Sequence, residues 1–124
     1  MKVSISNLDT APEGLYSFQP FEAALLKQIP GKDRPDYWLA KLDSPINGQP
    51  EAGGKPVTHL VLAARFAGKH ITPTATEVAV NIAYVIDQSL LNDSFLNFGK
   101  CRYVAIGHCT VVKNKGDLWQ RLFG

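Results

Sequence analysis

Residues 76–87, TEVAVNIAYVID, carry the clearest strand pattern in the chain. Large apolar side chains occupy every second position, at Val78, Val80, Ile82, Tyr84 and Ile86. The positions between them hold alanine, asparagine and valine. Successive side chains of a strand point to opposite faces, so a period of two predicts a β-strand with one large apolar face and one small face.

Three further segments predict strands by composition and alternation. They are DYWLAKLDSPI (36–46), VTHLVLAARFAG (57–68) and CRYVAIGHCTVV (101–112). The connection 44–56 contains three prolines and three glycines, and its Asn47-Gly48 pair suits a type I′ turn. No long crossover helix separates the strands in this part of the chain, which favours antiparallel pairing.

Helices are predicted at three places outside these strands. PFEAALLKQIPG (20–31) begins with proline, carries an apolar stripe and ends in Pro30-Gly31. A short helix is expected from about Asn92 to Phe98, with Asn92 as N-cap and Gly99 after it. Leu118, Trp119, Leu122 and Phe123 predict a terminal helical turn capped by Asp117.

These elements predict an α+β fold. We expect an antiparallel sheet of four or more strands with one N-terminal helix and short C-terminal helical segments, and a small β-barrel is the alternative. The 124 residues correspond to one globular domain spanning 1–124.

Composition narrows the range of partners. The chain is 45% hydrophobic and 19% charged, with a net charge of +2, and its basic residues are scattered. This weak basic excess predicts no nucleic-acid partner. No run approaches the roughly 18–20 apolar residues that span a bilayer, so no membrane partner is expected. The N-terminus lacks a signal-like apolar region, and two cysteines without one predict a reducing, cytoplasmic location.

Both cysteines and a histidine fall in the segment 101–112. On a straight strand Cys101, Tyr103, Ala105 and Cys109 would share one face. The two cysteines are eight residues apart, which is roughly 26 Å and too far for a disulfide. His108 and Cys109 are adjacent and point to opposite faces, so one metal ion would not take both. The chain has no Cys-x-x-Cys or His-x-x-x-His pair. We therefore expect no metal and no cofactor, and interpret Cys109 as a small buried side chain.

The first functional hypothesis is a binding or assembly module that forms a homo-oligomer through a sheet face or edge. A face of small residues would let another layer approach closely, and aromatic side chains would anchor the contact. The small residues are Ala63, Ala79, Ala83 and Ala105, and the aromatic anchors are Tyr37, Trp38 and Tyr103.

The second hypothesis is a small enzyme or a domain that binds a small-molecule ligand, because no motif fixes a reaction and enzyme activity stays open. Its pocket would bring together the polar side chains near the strands: His59, Arg65, Asn81, Asp87 and His108. This site depends on His59 lying beside His108.

Overall fold

The structure, a computed structural model, describes residues 1–112 and consists mainly of β-strands. The strands are β1 (Lys2–Asp9), β2 (Phe21–Ile29), β3 (Tyr37–Ile46), β4 (Val57–Ala64), β5 (Val78–Val85) and β6 (Cys101–Val112). One short helix, α1 (Glu13–Phe18), lies between β1 and β2. Three 3₁₀ turns occupy Pro50–Ala52, Gln88–Asn92 and Phe98–Lys100. No helix within residues 1–112 has the length and apolar character needed to cross a membrane.

Each strand pairs antiparallel with the next along the chain, and β6 pairs with β1 to close a six-stranded barrel. The prediction of an antiparallel sheet is confirmed, as are the strands expected at 36–46, 57–68, 76–87 and 101–112. The small β-barrel, given as the alternative, describes the architecture better than the α+β class. Strand β1 and helix α1 have no counterpart among the sequence predictions.

The helix predicted at 20–31 is wrong, because these residues form β2. Phe21, Ala23 and Leu25 are buried in the barrel, whereas Leu26 is 51% exposed. Four consecutive apolar residues at 23–26 satisfy a helical stripe and a strand alternation equally well. These residues form a strand because they pair with β1 on one side and with β3 on the other.

A bulge in β6 changes which residues share a face. Ile82 pairs with Ala105 but Ala83 pairs with Tyr103, so the strand carries one extra residue between these two pairs. Cys109 therefore packs in the barrel interior, whereas Cys101 packs with the apolar residues outside it. The expectation that both cysteines, and Tyr103 with Ala105, share one face is corrected by this bulge. Both thiols are free.

The barrel interior is the main core, and connections close its ends. The inward side chains of β5, which include Val80, Ile82 and Tyr84, are fully buried. At one end the Tyr84 hydroxyl donates a hydrogen bond to Gln49 Oε1 at 3.1 Å. Leu15 of α1 and Ile71 of the β4–β5 connection are buried in the same cluster.

A second apolar cluster lies on the outside of the barrel, over β3, β4 and β5. Its buried strand residues are Ile29 at the end of β2 and, on β3–β5, Tyr37, Leu39, Val61, Ala63, Ala83 and Val85. Residues 87–100, which we call the cover segment, pack Leu90 and Leu96 onto this face.

The cover segment does not form the helix predicted at Asn92–Phe98, and its two 3₁₀ turns, Gln88–Asn92 and Phe98–Lys100, flank that stretch. Lys27 Nζ ties it to β2 through the carbonyl oxygens of Leu91 and Asp93, at 3.1 and 3.2 Å. Two carbonyl oxygens of this segment therefore accept hydrogen bonds from a side chain of β2. The terminal helical turn predicted after Asp117 lies outside the described residues.

Candidate functional site: an aromatic cleft on the outside of the barrel

The structure does not bring His59 and His108 together. Leu60, next to His59, pairs with Tyr84 of β5, whereas His108 pairs with Ala79. The antiparallel register places His59 opposite Val85, so six residue positions of β5 separate it from Ala79, which is roughly 20 Å at 3.3 Å per residue. His59 Nδ1 lies 2.9 Å from the Thr58 hydroxyl. Burial, reinforced by the positive charge of Lys41, holds the pKa of His59 below its ordinary value.

Arg65, Asn81 and His108 share the outer face of β4, β5 and β6. The backbone N–H of Arg65 donates to Ala79, and Ala79 pairs with His108. Asn81 follows two residues further along β5 and therefore faces the same side. His108 Nδ1 lies 2.7 Å from Glu77 Oε1, and Arg65 extends over the Phe66 ring. The Arg65 and His108 side chains thus contact local partners and not each other.

Asp87 has a structural role. Its carboxylate accepts a hydrogen bond from the Ser89 backbone N–H at 2.9 Å and caps the first 3₁₀ turn of the cover segment. The same hydrogen bond lowers the pKa of Asp87.

The thiols are poor nucleophiles in this fold. Burial raises the pKa of Cys109 to about 12 and that of Cys101 to about 11. Because the thiolate is the reactive form, both side chains stay protonated at neutral pH. Their environments suit structural packing.

A cleft of about 220 Å³ opens on the outer face of the barrel, where the cover segment ends. We call it the outer cleft. Its floor consists of strand residues with small or apolar side chains and one amide, namely Val61, Ala63, Asn81, Ile82 and Ala83, although the Ile82 side chain packs in the barrel interior. Its walls are the aromatic rings of Tyr37, Phe98 and Tyr103. Its rim carries two charged residues, Asp33 and Arg34. Of the five site residues predicted from sequence, Asn81 alone lines the outer cleft.

Its aromatic walls come from three separate parts of the chain. The Tyr37 and Phe98 rings meet edge to face with centroids 5.0 Å apart. Phe98 is nevertheless 50% exposed, and Tyr103 on β6 is 56% exposed. Large aromatic side chains dominate interface energies because they bury much apolar area when covered. Two half-exposed rings beside one cavity therefore mark a surface suited to a ligand.

The rim is held by a network of charged hydrogen bonds. Arg34 donates through Nε and Nη2 to the two carboxylate oxygens of Asp36, at 2.6 and 2.8 Å. Its Nη1 donates to the carbonyl of Ala64 at 2.9 Å, which fastens the β2–β3 connection to the end of β4. The Tyr37 hydroxyl donates to Asp33 at 2.8 Å. Burial, with that hydrogen bond, raises the pKa of Tyr37 well above its ordinary value.

The Asp36→Asn variant is expected to lose about 1–3 kcal/mol of stability at pH 7, as is usual for a hydrogen bond to a charged group. The hydrogen bond from Arg34 lowers the folded-state pKa of Asp36. The stabilisation is therefore complete above the unfolded pKa, about 3.9, and is lost as the pH falls through the lower folded value. Urea unfolding at pH 7 and in acid measures this difference. Asp43→Asn, at a more exposed ion pair with Lys2, is the control and is expected to change stability by less than about 1 kcal/mol. Equal losses at both pH values would contradict the role of the Asp36 charge.

In the part of the chain that the structure describes, cavities beside Glu22 and near Lys55 have linings less suited to a ligand. One, of about 340 Å³, lies beside Glu22 and Asp43, whose carboxylates both pair with Lys2. The other, of about 670 Å³, lies between the Pro50–Ala52 turn region and the end of β5, near Lys55 and Asp87. Neither is lined by two half-exposed aromatic rings.

The outer cleft is the candidate functional site within residues 1–112. It joins three aromatic rings, a floor of small residues and a single amide on a rigid strand face. Phe98 was missed by sequence reasoning, and Tyr37 and Tyr103 were expected only as interface anchors. Comparison of the chain with family models, curated proteins and solved structures gives no match.

Proposed function

We propose that the protein is a binding module whose outer cleft takes a small planar ligand. The observation that carries the proposal is the pair of half-exposed rings, Phe98 and Tyr103, beside one cavity of about 220 Å³. A ring inserted between them would cover apolar surface that the fold leaves open to water. This retains Asn81 from the ligand-binding hypothesis and replaces the other four residues predicted for the pocket.

The floor supports this proposal. Ala63 and Ala83 have no side chain beyond Cβ, so a flat ligand can approach the backbone of the sheet closely. Ala83 pairs directly with Tyr103, so the ring of Tyr103 stands beside this floor. Val61, Ala63 and Ala83 of the floor also belong to the buried outer cluster, so this part of the floor is closely packed. A preformed site avoids much of the ordering cost of binding.

The test is a ligand-observed NMR screen with a set of small aromatic and aliphatic fragments. We expect planar aromatic fragments to bind in preference to aliphatic ones. Tyr103→Ala is expected to weaken their binding about tenfold, since a stacking contact contributes about 1–3 kcal/mol. The matched control is Phe95→Ala, because Phe95 is 53% exposed but lies outside the outer cleft. Equal binding by the two variants would overturn the proposal.

Self-association is a second candidate, favoured by the same exposed rings. Each of the six strands already has two partners, so no described strand edge is open for pairing with a second copy. A homodimer would form through the outer face around Phe98 and Tyr103. Light scattering at micromolar concentration tests this: a dimer that Tyr103→Ala dissociates supports it, and a monomer at all concentrations contradicts it.

We also propose a reducing, cytoplasmic location, which the two free thiols support.

A further inference from the structure

Beyond a planar shape, we propose that the outer cleft recognises a neutral nitrogen heterocycle of the nucleobase type, free in solution, by pairing its edge with the Asn81 amide. This inference rests on the proposed function, and specifies the ligand class of the same cleft.

The Asn81 side-chain amide is the group that would recognise the ligand through hydrogen bonds. It is half-buried in the cleft floor between Ala63 and Ile106, its partners on the neighbouring strands. No hydrogen bond of residues 1–112 reaches this amide, while Arg34 and Tyr37 direct theirs to Asp36, Ala64 and Asp33. An asparagine side chain offers one acceptor and two donors side by side. This edge pairs with a base that presents an adjacent donor and acceptor, as asparagine does with adenine.

The size of the cleft limits the part of the ligand that enters it to one ring system. Its volume of about 220 Å³ is below the roughly 300–1,000 Å³ of sites for drug-sized molecules. Phe98 and Tyr103 would contact the faces or edges of that ring, and stacking of this kind accepts any base. We therefore expect the aromatic rings to provide most of the binding affinity. The Asn81 amide would select ligands whose edge carries a matching hydrogen-bond donor and acceptor.

Charge at the rim favours a neutral ligand. Arg34 has its guanidinium engaged by Asp36 and by the Ala64 carbonyl. Asp33 accepts the hydrogen bond of the Tyr37 hydroxyl. Asp36 already neutralises the Arg34 charge and Asp33 adds a negative charge, so an anionic group such as a phosphate would gain no net attraction at this rim, whereas a neutral ring needs none. This is why we favour a free base or nucleoside over a phosphorylated form.

The experiment compares adenosine with purine riboside, which has the same ring and sugar but lacks the exocyclic amine. Calorimetric or NMR titration of the full chain is expected to show adenosine binding at least about tenfold tighter. Asn81→Leu keeps an apolar floor and removes the amide, so it is expected to bind both nucleosides equally. Gln28→Leu removes an exposed strand amide outside the cleft and is expected to retain the discrimination.

Three results of these titrations would contradict the proposals. Equal binding of the two nucleosides by the wild-type chain would overturn the Asn81 inference and leave the planar-ligand function standing. Absence of binding by every planar fragment would overturn both. Single-stranded oligoadenylate that binds far more tightly than adenosine, with strong salt dependence, would overturn the choice of a free ligand.

Discussion

Ile82→Ala is expected to lower the free energy of unfolding by about 2–5 kcal/mol, as large-to-small changes in a packed core do. Ile82 is fully buried in the barrel interior, on the strand that pairs with both β4 and β6. Its Cδ1 atom also lies 3.2 Å from where a Cβ of Gly107 would be, so the core is tightly packed here. A domain of this size has only about 5–15 kcal/mol of stability, so the loss is a large share of it. Urea unfolding followed by tryptophan fluorescence measures the change.

Ile86→Ala is the matched control for this prediction. Ile86 immediately follows β5 and is 45% exposed. Its replacement is expected to change stability by less than about 0.5 kcal/mol, as is usual for surface positions. Similar losses for the two variants would mean that the inward face of β5 is assigned incorrectly.

Leu90→Ala is expected to destabilise the chain by about 2–5 kcal/mol through the outer cluster, since Leu90 is fully buried there. The change removes one of the two buried leucine contacts that hold the cover segment on the barrel. Phe98 belongs to the same segment, so its ring should lose its fixed position against Tyr37. We therefore expect weaker binding in the outer cleft although Leu90 does not line it. Hydrogen exchange of the cover segment and fragment titration measure the two effects.

An exposed leucine provides the comparison. Leu26 on β2 is 51% exposed, and Leu26→Ala is expected to leave both the exchange rates and the binding close to those of the wild type. If Leu90→Ala bound fragments as well as Leu26→Ala did, the cover segment would not position the cleft wall.

The strands could be predicted wherever the apolar pattern has a single period. Residues 78–85 alternate cleanly, and β5 forms there. The segment 21–29 does not, because Ala23, Ala24, Leu25 and Leu26 fit a helix and a strand equally. Its pairing with β1 and β3 determines that it forms a strand. This pairing cannot be inferred from the sequence of the segment alone. Closure of β6 onto β1 is likewise a contact between distant parts of the chain.

The site was harder to predict than the fold. Asn81 could be found because it is a polar residue within an apolar strand. Tyr103 was assigned to the face of Ala105, and the bulge in β6 puts it outside the barrel instead. Phe98 gave no signal, because it becomes a cleft wall only when the cover segment packs over β3–β5 and its ring meets Tyr37.

The central claim is that the outer cleft is the binding site, and chemical-shift mapping on the labelled full chain tests it most directly. The chain is titrated with a planar aromatic fragment and the amide signals are followed. The account predicts that the largest shifts fall together on Ala63, Asn81, Ala83, Phe98 and Tyr103. Shifts centred on the groove near Lys55 and Asp87, or no shifts at any residue, would contradict it.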